Sequence, residues 1–205
     1  MEYSPAALPA ELITILAMCD PADAERLAMA FQFAAAAHSG QRRDEGSPFI
    51  DHPVAVAVIL WQELGCRDPD VLLAALMHDV VEDCDWIDSD AIRDLIGPRA
   101  MEMVMHVTKR SVPPHQRAVR DSEYLDLLLH LPLPSRLLKL ADRIHNLRRV
   151  PLAGNPAKAG RYLDISRERF YPLAIGTDST AARLLADACD AIELYLDDLK
   201  KSRRD

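Results

Sequence analysis

Leu72-Leu73-Ala74-Ala75-Leu76-Met77-His78-Asp79-Val80-Val81-Glu82-Asp83 is the stretch on which the reading of this chain turns. A run of apolar residues delivers one imidazole and three carboxylates onto a single helical segment. Helical spacing pairs His78 with Glu82 and Asp79 with Asp83, each pair one turn apart on the same side. Burying that many ionisable groups beside an apolar core is costly unless something compensates. A divalent metal ion is the simplest compensator, and it would bring hydrolytic chemistry with it.

Helical periodicity continues on both sides of this stretch. A short helix is predicted over residues 9–18. Asp20-Pro21 reads as an N-cap with proline at the first helical position, opening a helix to about His38. A polar loop punctuated by Gly40, Gly46 and Pro48 follows. Asp51-His52-Pro53 opens a helix to about Leu64, and Asp68-Pro69 opens the helix that carries His78 and Asp79. Further helices are expected over 89–96, 98–109, 116–130, 135–149, 155–174 and 177–200. No strand pattern, repeat or linker is visible. The expectation is an all-α fold of roughly ten helices, with residues 1–205 as one domain.

Composition agrees. Hydrophobic residues make up 49% of the 205 and aromatics only 5%, which favours close-packed helices over sheet. Lys+Arg 24 against Asp+Glu 32 gives a net charge of −8, which speaks against a general nucleic-acid binder. Cys19, Cys66, Cys84 and Cys189 are scattered, as free thiols of a reducing compartment would be. No stretch has the apolar length of a membrane span, and Met1-Glu2-Tyr3-Ser4-Pro5 lacks the basic start of a signal peptide. A cytoplasmic location without membrane attachment is expected.

Two other stretches share the character of the first. Ser47-Pro48-Phe49-Ile50-Asp51-His52-Pro53 places a histidine at a helix start. Leu137-Leu138-Lys139-Leu140-Ala141-Asp142-Arg143-Ile144-His145-Asn146-Leu147-Arg148 places an acid in an apolar run, with Asn146 one turn beyond Asp142. His52, His78, Asp79 and Asp142 together make a mixed nitrogen and oxygen ligand set. It suits Mn²⁺, Fe²⁺ or Zn²⁺, and the lack of a thiolate weakens the case for structural zinc.

The order His, His-Asp, Asp resembles the HD superfamily of metal-dependent phosphohydrolases. More narrowly, the blocks Ala37-His38-Ser39-Gly40-Gln41-Arg42-Arg43, Pro48 to Pro53, Ala74 to Asp83, Val107-Thr108-Lys109 and Lys139 to Arg148 are similar to the hydrolase domain of the RelA/SpoT family. The length resembles that of a stand-alone small alarmone hydrolase, with no room for a synthetase domain. The resemblance implies a Mn²⁺-dependent 3′-pyrophosphohydrolase of (p)ppGpp that releases pyrophosphate and GDP or GTP. By position it assigns His52, His78, Asp79 and Asp142 to the metal, and Glu82 and Asp83 to the acidic pair beside its water. It assigns Arg43 to stacking against the base and Asn146 to substrate contact. Lys158 and Tyr162, one turn apart, are weaker candidates for phosphate contact. A substrate with two phosphate clusters needs further cations, and Arg43, Lys109, Lys139, Arg143 and Lys158 form the pool.

The chain departs from the family pattern mainly in recognition elements. Asp44-Glu45 stands where the family has a lysine and a small residue, and Arg149 where threonine is common. Cys84 replaces a threonine, and Ile165-Ser166 replaces Glu-Thr. The metal and acidic blocks are intact. The base therefore stays open: (p)ppApp, NADPH or another nucleotide are alternative substrates. His106, His115 and His130 lie outside any motif and read as surface or packing residues. Trp86 and the Met101, Met103, Met105 series read as core.

Overall fold

A computed structural model describes residues 6–84 and 86–202. The first five residues, read above for a signal peptide, and the last three lie outside the described residues. The helix at the centre, α4 (Pro69–Met77), is apolar on every side, and Val71 through Met77 are all buried. A helix without a polar face must be covered all round. Its neighbours are α2 (Pro21–Ala37), α3 (Asp51–Val58), α7 (Pro98–Val107) and α9 (Leu133–Arg149).

The remaining segments are α1 (Ala10–Leu16), α5 (Val80–Asp83), α6 (Ser89–Ile96), α8 (Arg117–Leu128), α10 (Pro156–Ile165), α11 (Tyr171–Ile175) and α12 (Ser179–Ser202). The long α12 packs on α9 and closes the far side of the core. Among the described residues no strand forms; Arg42 and Pro48 make only an isolated bridge inside the loop before α3. The all-α reading holds. The twelve α segments exceed the roughly ten expected because two predicted helices are interrupted. The one through His78 and Asp79 loses its regular ladder there, separating α4 from α5. The one over 155–174 widens into a π turn at Ser166–Phe170, just before Pro172 in α11.

Two packing expectations need correction. Trp86 is 71% exposed: it lies in the turn between α5 and α6, where neighbouring Asp88 is occupied in capping α6. Met101 and Met103 are buried, but Met105 is 52% exposed because it falls on the outer side of α7. His106 is satisfied, with Nδ1 2.9 Å from Ser135 Oγ.

Asp68 shows how the centre is pinned. Its Oδ1 accepts from Asp70 N at 3.1 Å, capping α4, and Arg99 at the start of α7 donates to both its oxygens at 2.9 and 2.5 Å. The Arg99 hydrogen bonds, against an opposing push from burial, hold the Asp68 carboxyl below its ordinary range. Arg99 is half exposed, so solvent screens the ion pair and the cap dominates. We predict that Asp68→Ala costs about 1–2 kcal/mol near pH 7, read by urea denaturation. A depressed carboxylate pKa stabilises above the unfolded value of about 3.9. The difference between variant and parent therefore closes as pH falls through the folded value of Asp68.

Candidate metal centre and active site

Three distant pieces of chain meet at one point. His52 comes from the first turn of α3, His78 and Asp79 from the α4–α5 junction, and Asp142 from the middle of α9. His52 Nε2 lies 3.2 Å from His78 Nε2, 3.3 Å from Asp79 Oδ2 and 3.3 Å from Asp142 Oδ1. His78 Nε2 lies 3.2 Å from Asp79 Oδ1 and 4.0 Å from Asp142 Oδ1. One ligand atom each from His52, His78 and Asp142 falls within 4.8 Å of the others, and all three residues are buried.

The tautomers favour a cation here. His78 Nδ1 faces the Ala75 carbonyl oxygen at 2.8 Å, so it carries the proton and Nε2 is left with its lone pair. His52 Nδ1 faces His145 Nδ1 at 2.6 Å. With the His52 proton on that side, its Nε2 also presents a lone pair. Two nitrogen lone pairs and the oxygens of Asp79 and Asp142 then converge with no donor among them. That donor set fits a divalent ion, with the second ring nitrogens held from behind as metal-binding histidines require.

Burial lowers the pKa of His52 and outweighs the carboxylates beside it. Burial, then His52 and Arg43, push His145 down to about 3. Both rings are therefore neutral lone-pair donors at neutral pH. Burial would raise Asp142, but the Lys139 ammonium at 2.8 Å holds it well below the usual range. Lys139 in turn, despite burial, is held well above its ordinary value by Asp142 and Tyr124. Asp142 is thus an anion with a fixed counter-charge on its outer oxygen.

The cluster opens into a cavity of about 580 Å³. His52, Asp79 and Asp142 line its floor together with Glu82 and Asp83. Glu82 Oε2 accepts from the backbone N of Lys109 at 3.1 Å, which orients it. Asp83 is exposed overall and lines the cavity beside Glu82. Burial, then the charges of Asp79 and Glu82, push it up to about 6.

The expected recognition residues line the same cavity: Arg43, Lys139, Asn146, Lys158 and Tyr162. Asn146 links two of the groups, donating to Asp142 Oδ1 at 2.5 Å and accepting from Arg43 Nη2 at 2.5 Å. Arg43 also lies over the Phe49 ring, 5.4 Å from its centroid. Arg143, counted above in the cation pool, is instead tied into the wall. It donates to Ser166 Oγ and the Tyr162 carbonyl and packs between the Tyr162 and Phe170 rings. Lys158 is taken up by Asp44 across the cavity mouth. His145 behind His52 and the pairing of Arg149 with Glu45 were not foreseen. For His145 the signal was its place three residues after Asp142, on the same face of α9.

Comparison with known proteins agrees with this geometry. The HD domain family model matches residues 30–175, which include all four clustered residues. This chain belongs to the HD domain family. A guanosine-3′,5′-bis(diphosphate) 3′-pyrophosphohydrolase of Mus musculus is 39% identical over 128 residues, covering 62% of this chain and 70% of that one. The bifunctional (p)ppGpp synthase/hydrolase SpoT of Escherichia coli is 35% identical over 154 residues, 73% of this chain and 21% of that protein. A solved structure, of a metazoan ortholog of SpoT that hydrolyses ppGpp and plays a role in starvation responses, superposes with a TM-score of 0.54. It is 26% identical and covers 97% of this chain and 98% of that one.

For this HD-domain chain the centre predicts metal-linked stability. Adding Mn²⁺ to metal-stripped protein at about a hundredfold over its Kd should add about 2.7 kcal/mol. For a chain of this length that raises the melting temperature by about 5–10 °C, read by scanning fluorimetry. His78→Ala should give a flat response; a rise retained in that variant places the ion elsewhere.

Proposed function

We propose that this chain is a metal-dependent 3′-pyrophosphohydrolase of (p)ppGpp, giving GDP or GTP and pyrophosphate. We read it as one HD-type unit over residues 1–205, acting in the cytoplasm with Mn²⁺ as its ion. The observation that carries this reading is that His52, Asp79 and Asp142, gathered with the buried His78, share one cavity with the acidic pair Glu82 and Asp83 and with Arg43, Lys139 and Asn146. Relatives named for this reaction support it.

His52, His78, Asp79 and Asp142 would hold the ion. When bound, it supplies Lewis acidity, drawing down the pKa of water and polarising a phosphoryl oxygen. Glu82, braced by the Lys109 amide, takes the proton from the attacking water. Asp83, next to Glu82 in the same cavity, gives its proton to the departing ribose 3′ oxygen. The oxygen of water ends on the pyrophosphate, and the nucleotide leaves with a free 3′ hydroxyl. Arg43, backed by Phe49 and steadied by Asn146, offers a flat cationic face for the base. Lys139 counters the charge of Asp142 and lines the same cavity, where it offers a cation to phosphate oxygen. Tyr162 forms the opposite wall.

The test is pyrophosphate release from ppGpp, with ppApp and NADPH run in parallel and the products separated by chromatography. With Mn²⁺ we expect pyrophosphate and GDP from ppGpp. Glu82→Gln should lower kcat about 10²–10⁴-fold with little change in KM. Release of orthophosphate alone, or tight ppGpp binding with no turnover, would refute the reading.

A further inference from the structure

The departures from the family pattern at Asp44, Glu45 and Arg149 are coupled in space. Glu45 accepts from Arg149 Nε at 2.9 Å and from Ser47 Oγ at 3.0 Å, and its side chain is only 9% exposed. Burial would raise its pKa, but a hydrogen bond from backbone and those from Arg149 and Ser47 hold it below the ordinary range. Asp44, next along the loop, pairs with Lys158 from α10. Two acids on the Arg43 loop thus bind two cations more than a hundred residues away, on the opposite wall of the cavity.

Their place relative to the metal site is set by α9. Asp142, Asn146 and Arg149 lie along one side of that helix. Seven residues separate Asp142 from Arg149, about 10 Å along the axis. A nucleotide anchored by its 3′ diphosphate at the metal end therefore extends past Asn146 toward this rim. Four cations line that end. Arg42 donates to the Gly46 carbonyl at 2.7 Å and Arg43 to Asn146, both neutral acceptors. Arg149 and Lys158 face carboxylates.

We propose that Asp44 and Glu45 are specificity-determining residues: they withhold Lys158 and Arg149 from substrate phosphate, and so weaken selection for phosphates at the 5′ end. This inference rests on the hydrolase reading above. The charges of Asp44, Glu45, Lys158 and Arg149 cancel, so only Arg42 and Arg43 are left to reward a further 5′-phosphate there. Neutralising both acids leaves two unmatched cations at the same place, and the gain per phosphate rises.

The experiment compares kcat/KM for guanosine 3′-diphosphates carrying a 5′ mono-, di- or triphosphate, in wild type, D44N/E45Q and D44E. The triphosphate-to-monophosphate ratio should rise about tenfold in D44N/E45Q over wild type. The D44E variant, which keeps the charge, should stay within about twofold of wild type. If the double variant fails to fold, D44N alone at the exposed Asp44 serves, with about a threefold rise expected. Turnover with an unchanged ratio, or a D44E shift as large as that of D44N, overturns the rim proposal and leaves the hydrolase reading standing. No pyrophosphate from any of the three substrates overturns both.

Discussion

His52 Nε2 and His78 Nε2 sit 3.2 Å apart, with carboxylate oxygens of Asp79 and Asp142 as their other near neighbours. Four electron-rich groups held this close repel one another unless positive charge lies between them, and burial makes the repulsion stronger. The fold supplies the force that holds them there. α4 is buried on every face, α9 is clamped between α4 and α12, and α3 closes the third side. Core packing thus sustains an arrangement that the polar groups would not adopt alone.

Around that point the structure is arranged in successive shells. The ring nitrogens behind the metal site are tied to the Ala75 carbonyl and to His145, which orients the two imidazoles. Lys139 and Asn146 brace Asp142 from two sides. Farther out, Lys109 orients Glu82 through its backbone, and Arg43 rests on Phe49. At the mouth, Asp44 and Glu45 engage Lys158 and Arg149. The inner shell matches the family blocks of the sequence closely, whereas three of the four outermost residues, Asp44, Glu45 and Arg149, depart from them.

Much of this was legible in the linear sequence because local physics carried it. The apolar run before His78 marked a helix, which the structure buries from Val71 to Met77, and Asp20-Pro21 and Asp68-Pro69 marked helix starts that the structure places at Pro21 and Pro69. Spacing along α9 put Asp142 and Asn146 one turn apart, where they do meet. Other features left no local trace. Whether Trp86 packs depends on what lies opposite the turn after α5, and periodicity says nothing about that. The π turn at Ser166–Phe170 cuts a pattern that otherwise reads as one helix. The resemblance made Lys158 a weaker candidate for phosphate contact, but its partner Asp44 lies 114 residues away in the chain.

What could be read from residue order was therefore the set of helices, the apolar face of each, and the chemical kind of the groups they carry. These depend on neighbours within a turn or two, and a one-dimensional pattern preserves them. Which oxygen faces which nitrogen, which ring carries its proton on which side, and which cations are already engaged by carboxylates were settled by the packing of α3, α4, α9 and α10. Charge interactions act through space over a few ångströms, and residues that close can be a hundred positions apart in the chain.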